Sequence, residues 1–226
     1  MATDRLKIYN GALRLCRARA IASLTVNEEG RRLLDNVWND GGVRYCLERG
    51  QWKFAMRAAM LTPDPAVTPS FGYPNAYPKP TDWVDTSAVC QDEFFNTPLN
   101  QYADEVGYWF ASINPIYVKY VSDDPLYGGN LAAWPVSFTE YVKAYFASQI
   151  VGKLAQDDSV IAAILGPKRD GTGGLVQSTL VTAKNRDAMA GPATFPAQGS
   201  WTRARMGRGG RRGPLGDGGS PGSLIG

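Results

Sequence analysis

Six prolines lie between residues 63 and 80, and they constrain the fold of this 226-residue chain more than any other feature. Each proline ring fixes its own φ angle, removes a backbone donor and disfavours helix at the residue before it. A continuous helix therefore cannot run through this segment. We expect an extended connector here, between two parts of the chain with different structure.

Before the connector, apolar residues recur at helical spacing. Leu6, Tyr9, Leu13 and Cys16 are three or four residues apart, which predicts a first amphipathic helix with Thr3 as its N-cap.

A second helix is expected to open at Thr25, because Thr25 and Glu28 have capping-box spacing, with Asn27 as a competing cap. The glycine pair 41–42 is expected to kink this helix. The aromatic and apolar residues that follow predict that helix resumes from residue 43 to about residue 61.

After the connector the pattern changes. Segments 83–89, 101–112 and 116–122 are rich in aromatic and β-branched residues, and Asn114 and Pro115 mark a turn between the last two. They predict a small antiparallel β insertion.

Helix is expected again after Pro135. Ser137 and Glu140 form a capping box, and apolar residues at helical spacing follow to Leu154. A shorter helix is predicted at 160–165 and a further one at 175–189.

The fold class is therefore predicted as α+β, mainly helical: a helical bundle with a small antiparallel β insertion and an extended C-terminal arm. Residues 1–62 are assigned to the N-terminal helices of the bundle and 136–200 to its C-terminal helices. Residues 63–135 form the proline-rich connector and the insertion, and 201–226 form the arm.

The arm is rich in glycine and arginine: it contains nine glycines, five arginines and one aspartate, whereas residues 1–200 carry 19 basic and 20 acidic side chains. Its few apolar residues cannot offset the entropy lost on ordering so many glycines. We expect it to be disordered in the free chain and to gain structure on a partner. Docking on a protein is favoured over contact with phosphates and over a purely solubilising role.

Histidine is absent from the chain, which excludes catalytic triads and zinc sites that need imidazole. The three cysteines are odd in number, widely spaced and set among apolar residues, so no disulfide framework is expected and reduced, cytoplasmic synthesis is favoured. No signal peptide and no membrane span are expected. The absence of histidine lowers the expectation that the chain is an enzyme.

Three patterns in the sequence resemble chemical sites. Asp104 and Glu105 are the first pair to consider for a glycosidase, although neighbours in sequence do not specify facing carboxylates. Asp123 and Asp124 are interpreted as a solvated turn rather than a calcium loop. The segment GPKRDGT, residues 166–172, has the glycine spacing of a P-loop but Thr172 in place of the required lysine, so an interhelical loop is predicted.

Three stretches of the chain then carry a family resemblance. They are, in order, IYNGALRLCRARAIASLTVNEEGRRLLDNVWNDGGVRYCLERGQWKFAMRAAML, INPIYVKYVSD and LVQSTLVTAKNRDAMAGPATFPAQGSWTRARMG. This ordered set resembles the head-to-tail connector adaptors of short-tailed bacteriophages, also called tail tubular protein A, over most of residues 6–207.

The resemblance implies a structural protein of the virion, without enzymatic activity or cofactor, at the head–tail interface and assembled in the host cytoplasm. Twelve copies would form a ring beneath the portal protein, with a central channel for double-stranded DNA during genome ejection and a lower face for the tail nozzle protein. The arm would bind the portal through six residues: Trp201, Arg203, Arg205, Arg208, Arg211 and Arg212. The family pattern covers Trp201 to Arg205, and the later arginines are assigned from composition.

Two alternatives stay open at this point. One is a virion-associated cell-wall (peptidoglycan) hydrolase. The other is a nucleic-acid packaging factor that uses the arginines of the arm.

Overall fold

In a computed structural model of the chain, the structure describes residues 3–155, 157–166 and 173–191. These ranges contain six α-helices and six β-strands. The helices are α1 (Arg5–Leu15), α2 (Glu29–Asn39), α3 (Gly42–Glu48), α4 (Val136–Leu154), α5 (Asp158–Leu165) and α6 (Leu175–Met189). The strands are β1 (Met56–Leu61), β2 (Asn75–Pro78), β3 (Trp83–Cys90), β4 (Tyr102–Glu105), β5 (Tyr108–Ala111) and β6 (Ile116–Ser122).

The predicted α+β class is confirmed, with a mainly helical body and a small antiparallel β insertion between its two halves. The arm, residues 201–226, lies outside the described residues, and so does the segment 192–200 of the assigned bundle.

The helical body is organised around α4, which packs against all five other helices. Its buried side chains point in several directions because partners surround it. Trp52 is the largest fully buried side chain in this core: it is 1% exposed, and its ring centroid lies 4.8 Å from that of Phe138. The indole N–H donates to the carbonyl oxygens of Cys46 at 3.2 Å and Leu47 at 3.1 Å, so this buried donor is satisfied.

The β insertion consists of two three-stranded antiparallel sheets, with strand orders β1-β6-β3 and β2-β5-β4. They enclose a second core of buried residues: Tyr77, Val89, Leu99, Trp109, Ala111, Ile116, Val118 and Tyr120. At one end of the first sheet Met56 pairs with Val121, and both belong to the core of the helical body. At the other end Leu61 pairs with Ile116, and both belong to the second core. β1 and β6 therefore connect the two cores.

The helix predicted over residues 43–61 is wrong in its second half. Helix was expected from residue 43 to about 61, but α3 ends at Glu48 and residues 56–61 form β1. Methionine, alanine and arginine in this segment favour helix, yet pairing along β6 overrides that local preference. The helical assignment of 1–62 therefore ends too late, and the connector 63–80 also contains β2.

The predicted N-caps are also wrong. Asp4, not Thr3, caps α1, and its carboxylate accepts the backbone N–H of Lys7 at 2.8 Å. α2 begins at Glu29, too late for Thr25 to cap it, and no side-chain cap is made there. α4 begins at Val136, so Ser137 already lies in the first turn of the helix. By contrast, Gly41 has φ 84° and separates α2 from α3, as the expected kink requires.

The remaining elements agree closely with expectation. β6 and α6 have the predicted bounds, β3 runs one residue further than predicted, and α5 starts two residues earlier. The predicted strand 101–112 is instead a hairpin of β4 and β5, because Gly107 adopts φ 81° and turns the chain back.

Replacement of Gly128 with alanine is expected to destabilise the junction between the cores by about 1–3 kcal/mol. A Cβ atom there would lie 2.2 Å from the carbonyl oxygen of Ser122 and 3.0 Å from Leu47 Cδ1. Gly152 in α4 is the matched control, because no atom lies within 4 Å of its Cβ position. Gly152→Ala is expected to stabilise the protein by up to about 1 kcal/mol. Urea unfolding measures the free energy of unfolding of both variants. If Gly128→Ala were as stable as Gly152→Ala, the close packing around Gly128 would be contradicted.

Candidate functional site

The six residues expected to bind a portal, Trp201, Arg203, Arg205, Arg208, Arg211 and Arg212, lie outside the described residues. Of the segment 166–172, only Gly166 is described.

Asp104 and Glu105 do not form a facing pair of carboxylates. They are consecutive in β4, and consecutive side chains of a strand point to opposite faces. Asp104 Oδ2 accepts hydrogen bonds from Thr86 Oγ1 and Trp109 Nε1, both at 3.1 Å. This geometry differs from that of a glycosidase, in which two carboxyl groups flank one bond.

The ammonium group of Lys79 pairs with the other carboxylate oxygen of Asp104, Oδ1. This group also lies 3.9 Å from the ring centroid of Trp83 and 5.5 Å from that of Trp109. Only 8% of the Lys79 side chain is exposed. A carboxylate and two aromatic faces thus compensate the buried cation, and the cluster joins the two sheets.

Asp82 forms a second structural cluster at the base of the insertion. Its carboxylate accepts hydrogen bonds from Ser122 Oγ at 2.5 Å and Tyr120 OH at 3.3 Å, and pairs with Arg57 Nη1 at 2.9 Å. Burial opposes ionisation, but the hydrogen bonds from Ser122 and Arg57 outweigh it and lower the pKa of Asp82 below its ordinary value.

This lowered pKa predicts a pH-dependent effect of Asp82→Asn. The ionised form is favoured in the folded state, so its contribution is fully present above the ordinary aspartate pKa of about 4 and is lost as pH falls through the lower folded pKa. We expect the variant to be about 1–3 kcal/mol less stable near pH 7. Urea unfolding at several pH values should show that difference shrinking below about pH 4. A difference independent of pH would contradict the assigned network.

The carboxylates of Asp123 and Asp124 are both engaged in contacts within the chain. Asp123 Oδ2 lies 2.5 Å from Arg44 Nη1, and Asp124 Oδ1 accepts the backbone N–H of Leu126 at 2.8 Å. Among the described residues, no group of three or more acidic or cysteine side chains could hold a metal ion.

The cysteines are buried and unpaired: Cys16, Cys46 and Cys90. Burial raises the pKa of the Cys16 thiol to about 11 and also raises the pKa of Cys46 and Cys90. A thiol with a raised pKa is a poor nucleophile at neutral pH, so these residues fill the cores.

The first surface of interest is an open groove of about 690 Å³ along the outer face of α1, called here the α1 groove. Four basic side chains contribute to its wall: Lys7, Arg14, Arg17 and Lys143. The rest of the lining consists of the apolar Leu6, Ala18 and Ala20 with Asp4, Asn10 and Gly11, so the groove combines an apolar floor with a rim on which basic side chains outnumber the single acidic one. The lack of a side chain at Gly11 lets the Lys143 stem cross α1, because a Cβ would lie 2.5 Å from Lys143 Cδ.

The second surface is the end of the insertion far from the helical body. We call it the insertion tip and define it as Met60 with the loops 62–74 and 91–98. These loops leave the first sheet at its Leu61 and Cys90 end. Large apolar side chains are exposed here: Met60 is 61%, Phe71 91% and Phe94 73% exposed.

Sequence reasoning missed both surfaces. The α1 groove brings α1 together with Lys143 of α4, which is distant in sequence, so no local pattern marks it. The run of Arg14, Arg17 and Arg19 was a usable signal for its basic character. At the insertion tip, the adjacent Glu93 and Phe94 in a turn-forming segment could have indicated an exposed aromatic.

No protein-family model matches the chain, and no curated protein matches it significantly. Across the described ranges, no helix has the length and apolar character needed to cross a membrane.

Proposed function

We propose that the chain is a structural head-to-tail adaptor of a bacteriophage virion. Copies of it form a ring, of twelve in the family that it resembles, between the portal protein and the tail nozzle protein. Double-stranded DNA passes through the central channel without sequence readout. In this role the protein is not an enzyme, and its work is to hold neighbours in place at the head–tail interface.

The observation that carries the proposal is the exposure of Phe71 and Phe94 at the insertion tip. Large aromatic side chains left exposed on the loops of an insertion are typical of a surface that another protein covers. A subunit between two other proteins requires contacts with its neighbours in the ring and at its upper and lower faces.

The polar clusters of the insertion agree with this role. Asp104 and Asp82 are the carboxylates at the centres of its two clusters, and both are used in joining strands. The insertion is thus held in a fixed shape, which reduces the ordering cost of binding. A rigid insertion that ends in exposed aromatic residues suits a docking element.

Sedimentation velocity of the full chain, alone and with the portal protein of the same virus, tests the proposal. We expect weak self-association of the chain alone, because contacts among copies are completed by the portal and by ordering of the arm. With the portal present, we expect a single large complex of closed symmetry. If the chain stays separate from the portal at all concentrations, the proposed function is wrong.

A further inference from the structure

We infer that the α1 groove of one copy receives the loop 91–97 of a second copy, so that helical body and insertion tip alternate around the assembly. The inference rests on the proposed ring and specifies which two surfaces meet between neighbouring copies. Because these surfaces differ, the contact is heterologous, the kind of contact from which rings are built.

The groove offers positive charge around an apolar floor. Arg14 is exposed and forms no ion pair with any described residue, whereas Arg17 pairs with Asp157 at 3.4 Å although 73% of its side chain is exposed. Lys7 and Lys143 pair with Asp4 and Glu140 at 3.7 Å and 2.7 Å. Arg14 is therefore the side chain on the rim that is best suited to receive a carboxylate, and Arg17 adds positive charge beside it.

Arg17 stands at a position that usually favours glycine. The backbone N–H of Ala18 donates to Leu13 O at 2.9 Å and that of Arg17 donates to Arg14 O at 3.1 Å, which is a Schellman ending of α1. Arg17 occupies its left-handed position with φ 56°. An arginine here costs stability relative to glycine but places a cation on the rim of the groove.

The loop 91–97 offers the complementary chemistry. It carries the acidic residues Asp92 and Glu93 next to Phe94, whose side chain is 73% exposed. Glu93 is exposed as well, so a carboxylate and an aromatic ring project together from the same short loop. One can meet the cationic rim while the other covers the apolar floor.

The loop is already held in one conformation. The N–H of Gln91 donates to Thr97 O at 3.0 Å, and the Asp92 carboxylate accepts the N–H groups of Asn96 at 3.0 Å and Thr97 at 2.7 Å. Lys119 lies 5.3 Å from the ring centroid of Phe95, whereas Phe94 points outward. A loop fixed in this way loses little entropy on docking.

A second copy fits the groove better than a phosphate backbone does. Phosphate contacts are electrostatic and gain nothing from the apolar surface that Leu6, Ala18 and Ala20 provide. A peptide loop with both a carboxylate and an exposed aromatic uses the floor and the rim, and this chain carries such a loop.

Site-specific cross-linking tests the contact without altering its charges. Full-length Ala20→Cys is mixed with full-length Asn96→Cys at high concentration and treated with a short bis-maleimide. Native thiols do not interfere because all three cysteines are buried. We expect a cross-linked heterodimer from this pair and none from the matched control Ala20→Cys with Ala132→Cys. Equal yields from both pairs would overturn the inference.

Charge reversal provides the second measurement, by sedimentation equilibrium of the full chain. Arg14→Glu and Glu93→Arg are each expected to weaken self-association about tenfold. The double variant Arg14→Glu/Glu93→Arg should recover most of the loss. Failure of the double variant to recover, or no effect of either single change, would overturn the inference.

Failure of this inference can be told apart from failure of the proposed function. If portal-bound rings form but the Ala20→Cys and Asn96→Cys variants do not cross-link in them, the proposed function is supported and the inference is wrong, because another surface joins the copies. If Arg14→Glu prevents binding of portal or DNA while self-association is unchanged, a different occupant fills the groove and the inference is wrong. If no self-association and no ring occur, both are wrong.

Discussion

Replacing Trp52 with alanine is expected to lower the free energy of unfolding by about 3–5 kcal/mol. The side chain is 1% exposed and packs on Phe138 and Tyr141 of α4, with ring centroids 4.8 Å and 6.4 Å away. Alanine would leave a cavity where α3, the start of the insertion and α4 meet. Urea unfolding followed by helical circular dichroism measures the change.

Trp52→Phe is the control for this prediction. Phenylalanine keeps an aromatic ring in the site but removes the N–H that donates to Cys46 O and Leu47 O. We expect a loss of about 1–3 kcal/mol, smaller than that of alanine. If Trp52→Ala costs less than about 1 kcal/mol, Trp52 does not hold the core as described.

Removal of residues 201–226 is expected to reduce portal affinity by at least about 100-fold while the rest of the chain stays folded. The deleted segment contains all six residues assigned to portal binding, Trp201 and five arginines. Residues up to Ala190 form one compact unit with its own cores, so the truncated chain should keep its far-ultraviolet spectrum and its unfolding midpoint. Surface plasmon resonance on immobilised portal measures the affinity.

A full-length variant separates charge from chain length. Replacing the five arginines of the arm with glutamine keeps Trp201 and the glycines but removes the cations. We expect this variant to lose much of the affinity and the wild-type contact to weaken with salt, since charge-assisted pairs are screened. Portal binding by the truncated chain at wild-type strength would remove the role assigned to the arm.

The strongest sequence signals correspond to the elements that were located best. β6 has the predicted bounds because β-branched and aromatic residues alternate along it and Pro115 precedes it, and α6 has them because Gly174 and Gly191 flank it. β1 was missed because its residues fit a helix locally, and only the partner strand β6, about 60 residues later, makes it a strand. The β4–β5 turn was missed because Val106 continues the strand pattern up to Gly107.

The candidate surfaces were harder to foresee than the elements. Lys79 and Asp104 are 25 residues apart in sequence, so only the fold brings them together between Trp83 and Trp109. Likewise, the sequence shows that Phe94 lies beside an acidic residue, but only the fold shows that its loop leaves the sheet at the end far from the helical body. The periodicity of apolar residues in the sequence predicts single helices and strands. A site, by contrast, is formed by residues from elements that become neighbours only in the folded chain.

Native mass spectrometry of the chain assembled on its portal, supported by electron microscopy of the same sample, tests the adaptor role most directly. The account predicts a closed ring with one fixed number of copies, twelve as in the family that the sequence resembles, around an open central channel. A variable number of copies, or portal particles that carry none, would contradict it.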